Sequence, residues 1–579
     1  MKKKTSKDNK YLESGREMLK GAKKKYLLAS FKALNKFAVD SKYTVRLTSL
    51  PVNSEKKANP IAKTTVCDIS IKKSNSQLGF EFNAIPRNYM DVGGIKYPES
   101  YGLDNELILT SISSRKKYKI EKNSIKDFSI TYSKKKQNLS GKFFNLKSNN
   151  FSEETKSFWR LIVPVSQVAE SDITIPAGVV DHKRNHMVFD HRAWDLQNTL
   201  IGIRLPTTAG MFVKVTVKKH DFDFFMMTET NPKALIIDSN QKLTYHEFRD
   251  IGSTIRTAFG FLTGKCYRDE AYYVSSLRTD FQKVDSISYE VETPTIISSR
   301  EIVNHSSFFE DFRTQKKEFQ EENRKYHRLM PEETFSKLCE EMLNEETFHR
   351  TIEMILSATS SKSPITQGAL YSVAIETMTN IIKEENPKSV KVITNTSLTK
   401  KLKKELIEII TSQKNELTKG SIKDGFDILI SKINQINDAP NSKKLTIPFD
   451  LYKIDLDTED IEAIKNRNKY LHGKAPLDTK EEFELELIAL RLHFLIGCLI
   501  LKYIGYEGHV MNLPVWHYFG NKNQLNELLS KLNFDQLTPL SGIKKMQENG
   551  ENEKALTELK KLSEAFKIEA RLNNAIKII

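Results

Sequence analysis

The spacing of hydrophobic and polar positions changes once along the chain. Between residue 41 and about residue 295, apolar residues alternate with polar ones in short runs separated by Asn, Gly, Ser and Lys, and this pattern predicts β-strands. From Pro331 onward the apolar residues recur every three to four positions, which predicts helices. The expected fold class is therefore α+β and multidomain, with a β-rich N-terminal domain followed by an all-α domain.

The same pattern predicts individual elements and boundaries. The β-rich domain should contain one long helix, Tyr245 to Leu262, which ends at Gly264. In the C-terminal part, helices are predicted over 332–357, 368–383, 398–413, 421–436, 457–473 and 479–503. The expected segments are a basic helical N-terminus (1–40), a β-rich sensor or binding domain (41–295), a helical connector (296–330), a helical domain (331–519) and a polar helical tail (520–579).

Length and composition limit the class of protein. A chain of 579 residues is too long for one core, and its 39% hydrophobic and 28% charged residues are ordinary for a globular protein. The longest apolar run, Phe494 to Leu501, is far too short to span a membrane, so no membrane partner is expected. The four cysteines are widely spaced and fit neither a disulfide framework nor a zinc site, which favours a reducing, cytoplasmic location.

The positive charge lies entirely in the N-terminal part. Residues 1–150 contain 32 Lys and Arg against 13 Asp and Glu, a net charge of +19, so the remainder, with 58 against 61, contributes −3 to the total of +16. Such asymmetry favours an anionic partner for this end, with nucleic acid ahead of a membrane surface. A solvated lysine-rich surface is the alternative, and the sequence leaves it open.

The helix predicted over 457–473 carries the strongest candidate chemistry. Asp457 or Thr458 can cap its start, acidic residues fill its first turn, and Gly473 ends it. At 3.6 residues per turn, one face is expected to hold Ile461, Ile464, Asn468 and Leu471. The helix would therefore present polar groups on one side of a partly apolar rod.

Arg467, Asn468 and His472 are the residue types that metal-free RNA cleavage requires. Histidine can transfer protons near neutral pH, and the planar guanidinium of arginine stabilises charge on phosphate oxygens. Asn468 can orient either group or bind a phosphate. Arg467 and His472 lie about 140° apart around the helix axis and flank a common edge, which suits a site completed by another surface. Cleavage needs two proton transfers, and the motif supplies only one histidine. A homodimer, which brings two copies of the motif together, is therefore expected.

Two further Arg-to-His spacings and a histidine cluster compete with this motif. Arg184 to His191 falls in a predicted β-hairpin, and Arg300 to His305 falls in a segment without clear periodicity. The cluster consists of His182, His186, Asp190 and His191. Nearby cations oppose a dication there, so we predict no metal, and an anion-contacting or plain surface hairpin is favoured.

The sequence Arg467-Asn468-Lys469-Tyr470-Leu471-His472 resembles the Arg-x4–6-His signature of HEPN ribonucleases. That resemblance implies a helical bundle that dimerises with its motifs facing each other, in one composite metal-independent site without a cofactor. It also implies a polar residue on an earlier helix that supports the arginine. The segment Gly368 to Lys383 looks like that helix, with Glu376 as the candidate, although an ordinary ion-paired acid is the alternative.

A β-rich N-terminal region before a C-terminal HEPN bundle is similar to the ApeA-type bacterial abortive-infection proteins. This resemblance implies antiviral defence: the N-terminal domain binds a phage-derived trigger, and the HEPN dimer cleaves RNA, plausibly tRNA. Two other hypotheses stay open. One is a catalytically silent HEPN-type dimer that serves as a nucleic-acid-binding or scaffold module, and the other is a metal-dependent nuclease that uses the His182–His191 cluster.

Overall fold

The structure is a computed structural model that describes most of the chain. The described residues are 41–47, 65–73, 80–86, 107–111, 115–121, 124–133, 136–165, 180–181, 186–187, 209–227, 233–279, 281, 283–292, 295–298, 300, 302–303, 330–387, 389, 391–420, 424–437, 439–472, 482–507, 509–514 and 576–578. The described chain divides into two compact units. Unit 1 comprises the residues up to Ile297 together with Leu329–Leu343, and unit 2 comprises Ser298–Asn304 and the residues from Asn344 onward.

Unit 1 is built on one large antiparallel sheet. Its strands are β1 (Ser41–Leu47), β2 (Thr65–Lys73), β3 (Phe80–Pro86), β4 (Leu107–Ser111), β5 (Lys117–Ile120), β6 (Ile125–Ser133), β7 (Lys136–Phe143), β8 (Asn145–Ser148), β9 (Phe158–Val165), β12 (Ala209–Val217), β13 (His220–Met227), β14 (Lys233–Ser239), β16 (Glu270–Ser276) and β17 (Ser286–Val291). The small pairs are β10 (Val180–Asp181) with β11 (His186–Met187), and β15 (Lys265–Cys266) with β18 (Ile296–Ile297). These strands confirm the predicted β-rich N-terminal half.

The strand order is β12-β13-β14-β9-β16-β17-β8-β5-β4-β1-β2-β3-β7-β6. Helix α1 (Tyr245–Thr263) packs on the central strands, with Trp159 and Tyr273 of the sheet against Tyr245 and Phe248 of the helix. Its capping box pairs Thr244 with Glu247, and its C-cap glycine, Gly264, adopts a φ of 71° that glycine tolerates best. The predicted helix is confirmed at both ends within two residues.

Helix α2 (Glu332–Asn344) covers the outer edge of β12. The N–H groups of Lys214, Thr216 and Lys218 donate to Glu332, Ser336 and Glu340 at 3.1, 3.0 and 3.2 Å. Four residues of a helix rise about 6 Å and two residues of a strand rise about 6.6 Å. The spacing of the three helix side chains therefore matches the spacing of the three N–H groups. Side chains of the helix therefore satisfy edge donors that a further strand would otherwise pair with.

The position of α2 differs from the sequence-based boundary. Periodicity predicts a helical domain that begins at residue 331, whereas α2 belongs to the unit that contains the sheet. The cause is its apolar face: Phe335 stacks on Phe224 with ring centroids 6.3 Å apart, and Leu338, Cys339 and Met342 are buried. Periodicity predicts a helix with such a face but does not identify the surface against which it packs.

Unit 2 is helical over most of its described length. Its helices are α3 (Glu346–Ser360), α4 (Pro364–Glu385), α5 (Thr396–Ser412), α6 (Lys414–Gly420), α7 (Gly425–Asn434), α8 (Asn441–Leu451), α9 (Thr458–Leu471) and α10 (Glu482–Tyr503). The α+β layout is therefore confirmed. The helix predicted over 332–357 is two helices, because Glu345 leaves the helical conformation and caps α3 by accepting from the Thr347 N–H. The prediction also missed α8, which contains Pro448.

One strand pair also departs from the all-helical prediction for this region. Strand β19 (His509–Met511) follows α10 and pairs antiparallel with β20 (Ile576–Ile578), inside the segment predicted as a helical tail. The rest of that tail, the basic N-terminal segment 1–40 and most of the connector 296–330 lie outside the described residues. The start of the connector is strand β18 (Ile296–Ile297) and not the predicted helix, because it pairs with β15. None of the helices in the described ranges combines the length and apolar character that crossing a membrane requires.

Candidate active site

Helix α9 carries the Arg-Asn-x3-His motif and is held at its N-terminus. Asp457 accepts from the Asp460 N–H at 2.7 Å, and the Asp460 side chain accepts from the Asp457 N–H, which completes a capping box. Arg491 of α10 donates to Asp457, Glu459 and Asp460. The sequence signal for this contact is the acidic first turn of α9, which needs a cation from another helix because Asp460 is buried.

The face of α9 that was expected to hold Ile461, Ile464, Asn468 and Leu471 is buried only in part, because Asn468 and Leu471 are exposed. The buried residues of the helix are Asp460, Ala463, Ile464, Arg467 and Tyr470. Arg467 and Tyr470 turn inward because each finds a polar partner there, and apolar periodicity alone does not detect such residues.

Arg467 and Glu376 form the central contact of the site. The Nε and Nη2 atoms of Arg467 donate to Glu376 Oε1 of α4 at 2.9 and 2.6 Å, and Nη1 donates to the Ile464 carbonyl at 3.2 Å. Arg467 is 7% exposed. The Glu376 side chain is 37% exposed. The resemblance implied this pair, and the structure brings the two side chains together.

Asn468 and His472 lie on the exposed side of the same helix. His472 is the C-cap residue of α9, and its backbone N–H donates to the Asn468 carbonyl at 3.1 Å. Both side chains face solvent in the single chain. Two exposed apolar residues lie within about a turn of the Arg467–Glu376 pair: Val373 on α4 and Leu471 on α9, each 37% exposed. The exposed motif residues thus adjoin apolar surface.

Tyr470 fixes the distance between α9 and α4. Its ring is buried against Gly368, where a Cβ atom would lie 2.4 Å from the ring carbon Cε1, and its hydroxyl donates to the Leu485 carbonyl at 2.9 Å. Ser372, one turn along α4, donates to the Gly368 carbonyl at 2.6 Å. In the single chain Tyr470 is a core residue.

Gly368→Ala should destabilise unit 2 by about 1–3 kcal/mol, because the new methyl group overlaps the Tyr470 ring, which is buried and held by its hydrogen bond to the Leu485 carbonyl. The loss is measured as the free energy of unfolding in chemical denaturant, with hydrogen exchange of the α9 amides as the readout. The double variant Gly368→Ala/Tyr470→Leu should recover part of it, since the shorter side chain vacates the overlapping volume. A Gly368→Ala protein as stable as the wild type would contradict this packing argument.

His493 lies in the core beside the helix that carries Glu376. It is 1% exposed, and its ring stacks on Tyr371 of α4 with centroids 4.8 Å apart and planes 8° apart. Neither ring nitrogen makes a hydrogen bond with the described residues. Burial, reinforced by the nearby Arg300 guanidinium, lowers the pKa of His493 to about 3. Arg300 itself donates to Gln367 and Glu486, so it is part of the packing of α4 and α10.

The competing histidine cluster is described only in part. In the β10–β11 pair, Asp181 lies opposite His186. His182, Asp190 and His191 lie outside the described residues. Among the residues that the structure describes, no group of three or more His, Cys, Asp or Glu side chains is arranged to hold a metal ion.

Comparison with known proteins adds no relative to this description. No model of a known protein family matches the chain, and no curated protein or solved structure matches it either. The function must therefore be argued from the residues and their geometry.

Proposed function

We propose that the protein is a metal-independent endoribonuclease of the HEPN type. The observation that carries this proposal is the pairing of Arg467 with Glu376, which joins the motif helix to an earlier helix of the same bundle. A buried arginine fixed in this way sits one residue from an exposed asparagine and five from an exposed histidine. These residue types match the needs of RNA cleavage through attack of the 2′-hydroxyl.

His472 is the proton-transfer group in this proposal. An imidazole exchanges protons near neutral pH, and solvent exposure at the helix end lets it reach a substrate. Arg467 stabilises the charge that gathers on the phosphorane oxygens. Its bonds to Glu376 and to the Ile464 carbonyl use three of its five N–H groups, so two remain for the phosphate. Asn468 positions the phosphate. No metal or cofactor enters this chemistry.

A second copy of the chain completes the site in this proposal. Cleavage requires one group to remove the 2′-hydroxyl proton and another to protonate the leaving 5′-oxygen, and each chain offers one motif histidine. The apolar residues beside the motif, Val373 and Leu471, are exposed in the single chain and would be covered by a facing copy. A homodimer through these helices brings two His472 side chains to one phosphate.

The biological setting follows from the resemblance to abortive-infection proteins. In that setting the β-rich unit recognises a phage-derived trigger, and the helical unit cleaves cellular or phage RNA, with tRNA as the first substrate to test. The basic N-terminal part of the chain, with its charge of +19 over residues 1–150, is suited to an anionic partner.

A silent nucleic-acid-binding or scaffold dimer is the second candidate. The observation that favours it is the 7% exposure of Arg467, because an arginine paired with a carboxylate inside a bundle is also what an ordinary structural ion pair looks like. In that case the pair joins two helices and has no role in phosphate chemistry.

Cleavage of purified tRNA and total cellular RNA by the wild-type protein in excess chelator tests the proposal. We expect products with 2′,3′-cyclic phosphate and 5′-hydroxyl ends, since the 2′-hydroxyl is the nucleophile. Activity that chelator abolishes would instead favour a metal-dependent nuclease. Absence of cleavage both with and without divalent cations, together with unchanged phage resistance in cells that express an Arg467→Ala variant, would favour the silent module.

A further inference from the structure

The anion beside Arg467 lies on the solvent side of the cation. The Arg467 side chain is 8% exposed and the Glu376 side chain is 37% exposed, although the two are in direct contact at 2.6 Å. Anything that approaches the arginine from solvent along this side meets the carboxylate first. For an RNA phosphate this is an unfavourable encounter, because both groups are negatively charged.

The contact also occupies the part of the guanidinium that phosphates use. Nε and Nη2 form one edge of the planar fork, and both donate to the same oxygen, Glu376 Oε1. That edge is one of those that grip two phosphate oxygens at once in arginine–phosphate pairs. The third donor, Nη1, is turned toward the Ile464 carbonyl inside the helix. Carboxylate and phosphate therefore compete for the same donors.

We infer that Glu376 acts as an internal competitor of the RNA phosphate and restrains the site until a substrate or a conformational change displaces it from Arg467. This inference rests on the proposed function and adds its regulation. Glu376 keeps the buried cation paired at rest, which a desolvated guanidinium needs. The same contact weakens substrate binding, so its removal should strengthen the interaction with RNA. If Glu376 only supports Arg467, removal of the contact should instead weaken RNA binding.

Glu376→Gln separates the two roles. Glutamine has the same length and keeps an amide oxygen that accepts from Arg467, so the fold should persist, but it lacks the negative charge. Binding of a short single-stranded RNA oligonucleotide is measured as a function of salt in the His472→Ala background, where the RNA stays intact. We expect Glu376→Gln to bind about tenfold more tightly at low salt. The slope of log K against log salt should steepen by about 0.7 for one added phosphate contact.

Two controls tie the effect to Arg467. Glu384→Gln removes the same charge from an exposed position on α4, and it should leave both affinity and slope close to those of the parent. Adding Arg467→Ala to Glu376→Gln should abolish the gain, since the freed donors are then absent. RNA binding that tightens equally in Glu384→Gln, or that stays tighter after Arg467→Ala is added, would mean that only the long-range effect of the lost charge is seen. Either result would overturn the inference.

Cleavage by the His472-containing proteins distinguishes failure of this inference from failure of the proposed function. If the restraint exists and the protein is a ribonuclease, Glu376→Gln should lower KM with a smaller effect on kcat. If Glu376→Gln binds RNA no better, or worse, while the wild type still cleaves, the inference is wrong and Glu376 only supports Arg467. If binding responds as expected but no variant cleaves, the restraint stands and the ribonuclease function fails.

Discussion

His472→Ala should lower the rate of RNA cleavage by about 10²- to 10⁴-fold, the usual effect of removing a general acid or base. The loss should be larger than for Asn468, the other exposed polar residue of the motif, because an amide side chain cannot replace an imidazole in proton transfer. Quantitative cleavage of tRNA at saturating protein concentration measures the effect. It also shows whether kcat, rather than RNA binding, has fallen.

The fold should survive this substitution. His472 is exposed, and its structural contribution is a backbone hydrogen bond from its N–H to the Asn468 carbonyl, which alanine retains. Thermal unfolding and oligomeric state should therefore match the wild type. His349→Ala is a suitable control, since His349 lies on a partly exposed helix surface beside Glu353 and outside the motif. Full RNA cleavage by His472→Ala, together with loss of cleavage when a residue outside the motif is replaced, would contradict the catalytic assignment.

The presence of the helices and the candidate motif could be predicted from the sequence, because both depend on patterns among neighbouring residues. Alternating and helical periodicities predicted the change from sheet to helix, the capping residues predicted where α9 begins, and Gly264 predicted where α1 ends. The Arg467–Glu376 contact spans 91 residues of sequence. Only the resemblance to a family suggested that contact, since no local pattern carries it.

Two differences from the sequence-based expectation involve polar groups that find partners in the fold. In α9 the apolar positions are Ile461 and Ile464, yet the structure also buries Arg467 and Tyr470 because Glu376 and the Leu485 carbonyl satisfy them. In α2 the apolar face decides the placement, and polar residues add to it. Glu332, Ser336 and Glu340 look solvent-facing in the sequence, yet they accept from the N–H groups of Lys214, Thr216 and Lys218 at the sheet edge. Tertiary partners decide which polar residues turn inward.

Acid should destabilise unit 2 through His493. Its pKa falls to about 3 in the folded protein against an ordinary value of 6.5. At neutral pH both states are uncharged at this residue and it contributes no pH dependence. As the pH falls below 6.5 the unfolded chain takes up a proton that the folded core refuses, so unfolding becomes more favourable by about 1.4 kcal/mol per pH unit. Between pH 6.5 and pH 4 the free energy of unfolding should drop by roughly 3 kcal/mol from this residue alone.

His493→Phe isolates that contribution, because phenylalanine keeps a ring to stack on Tyr371 and does not titrate. Denaturant unfolding at a series of pH values, read by hydrogen exchange of α10 amides, should show a shallower acid decline in the variant. His349→Gln removes a partly exposed histidine and should leave the decline unchanged. Tyr371 and Glu376 lie five residues apart on α4, so loosening around His493 reaches the helix that holds Arg467. If the free energy of unfolding fell equally with pH in wild type and His493→Phe, the imidazole would take up its proton in the folded protein too. The prediction that His493 stays neutral in the core would then be wrong.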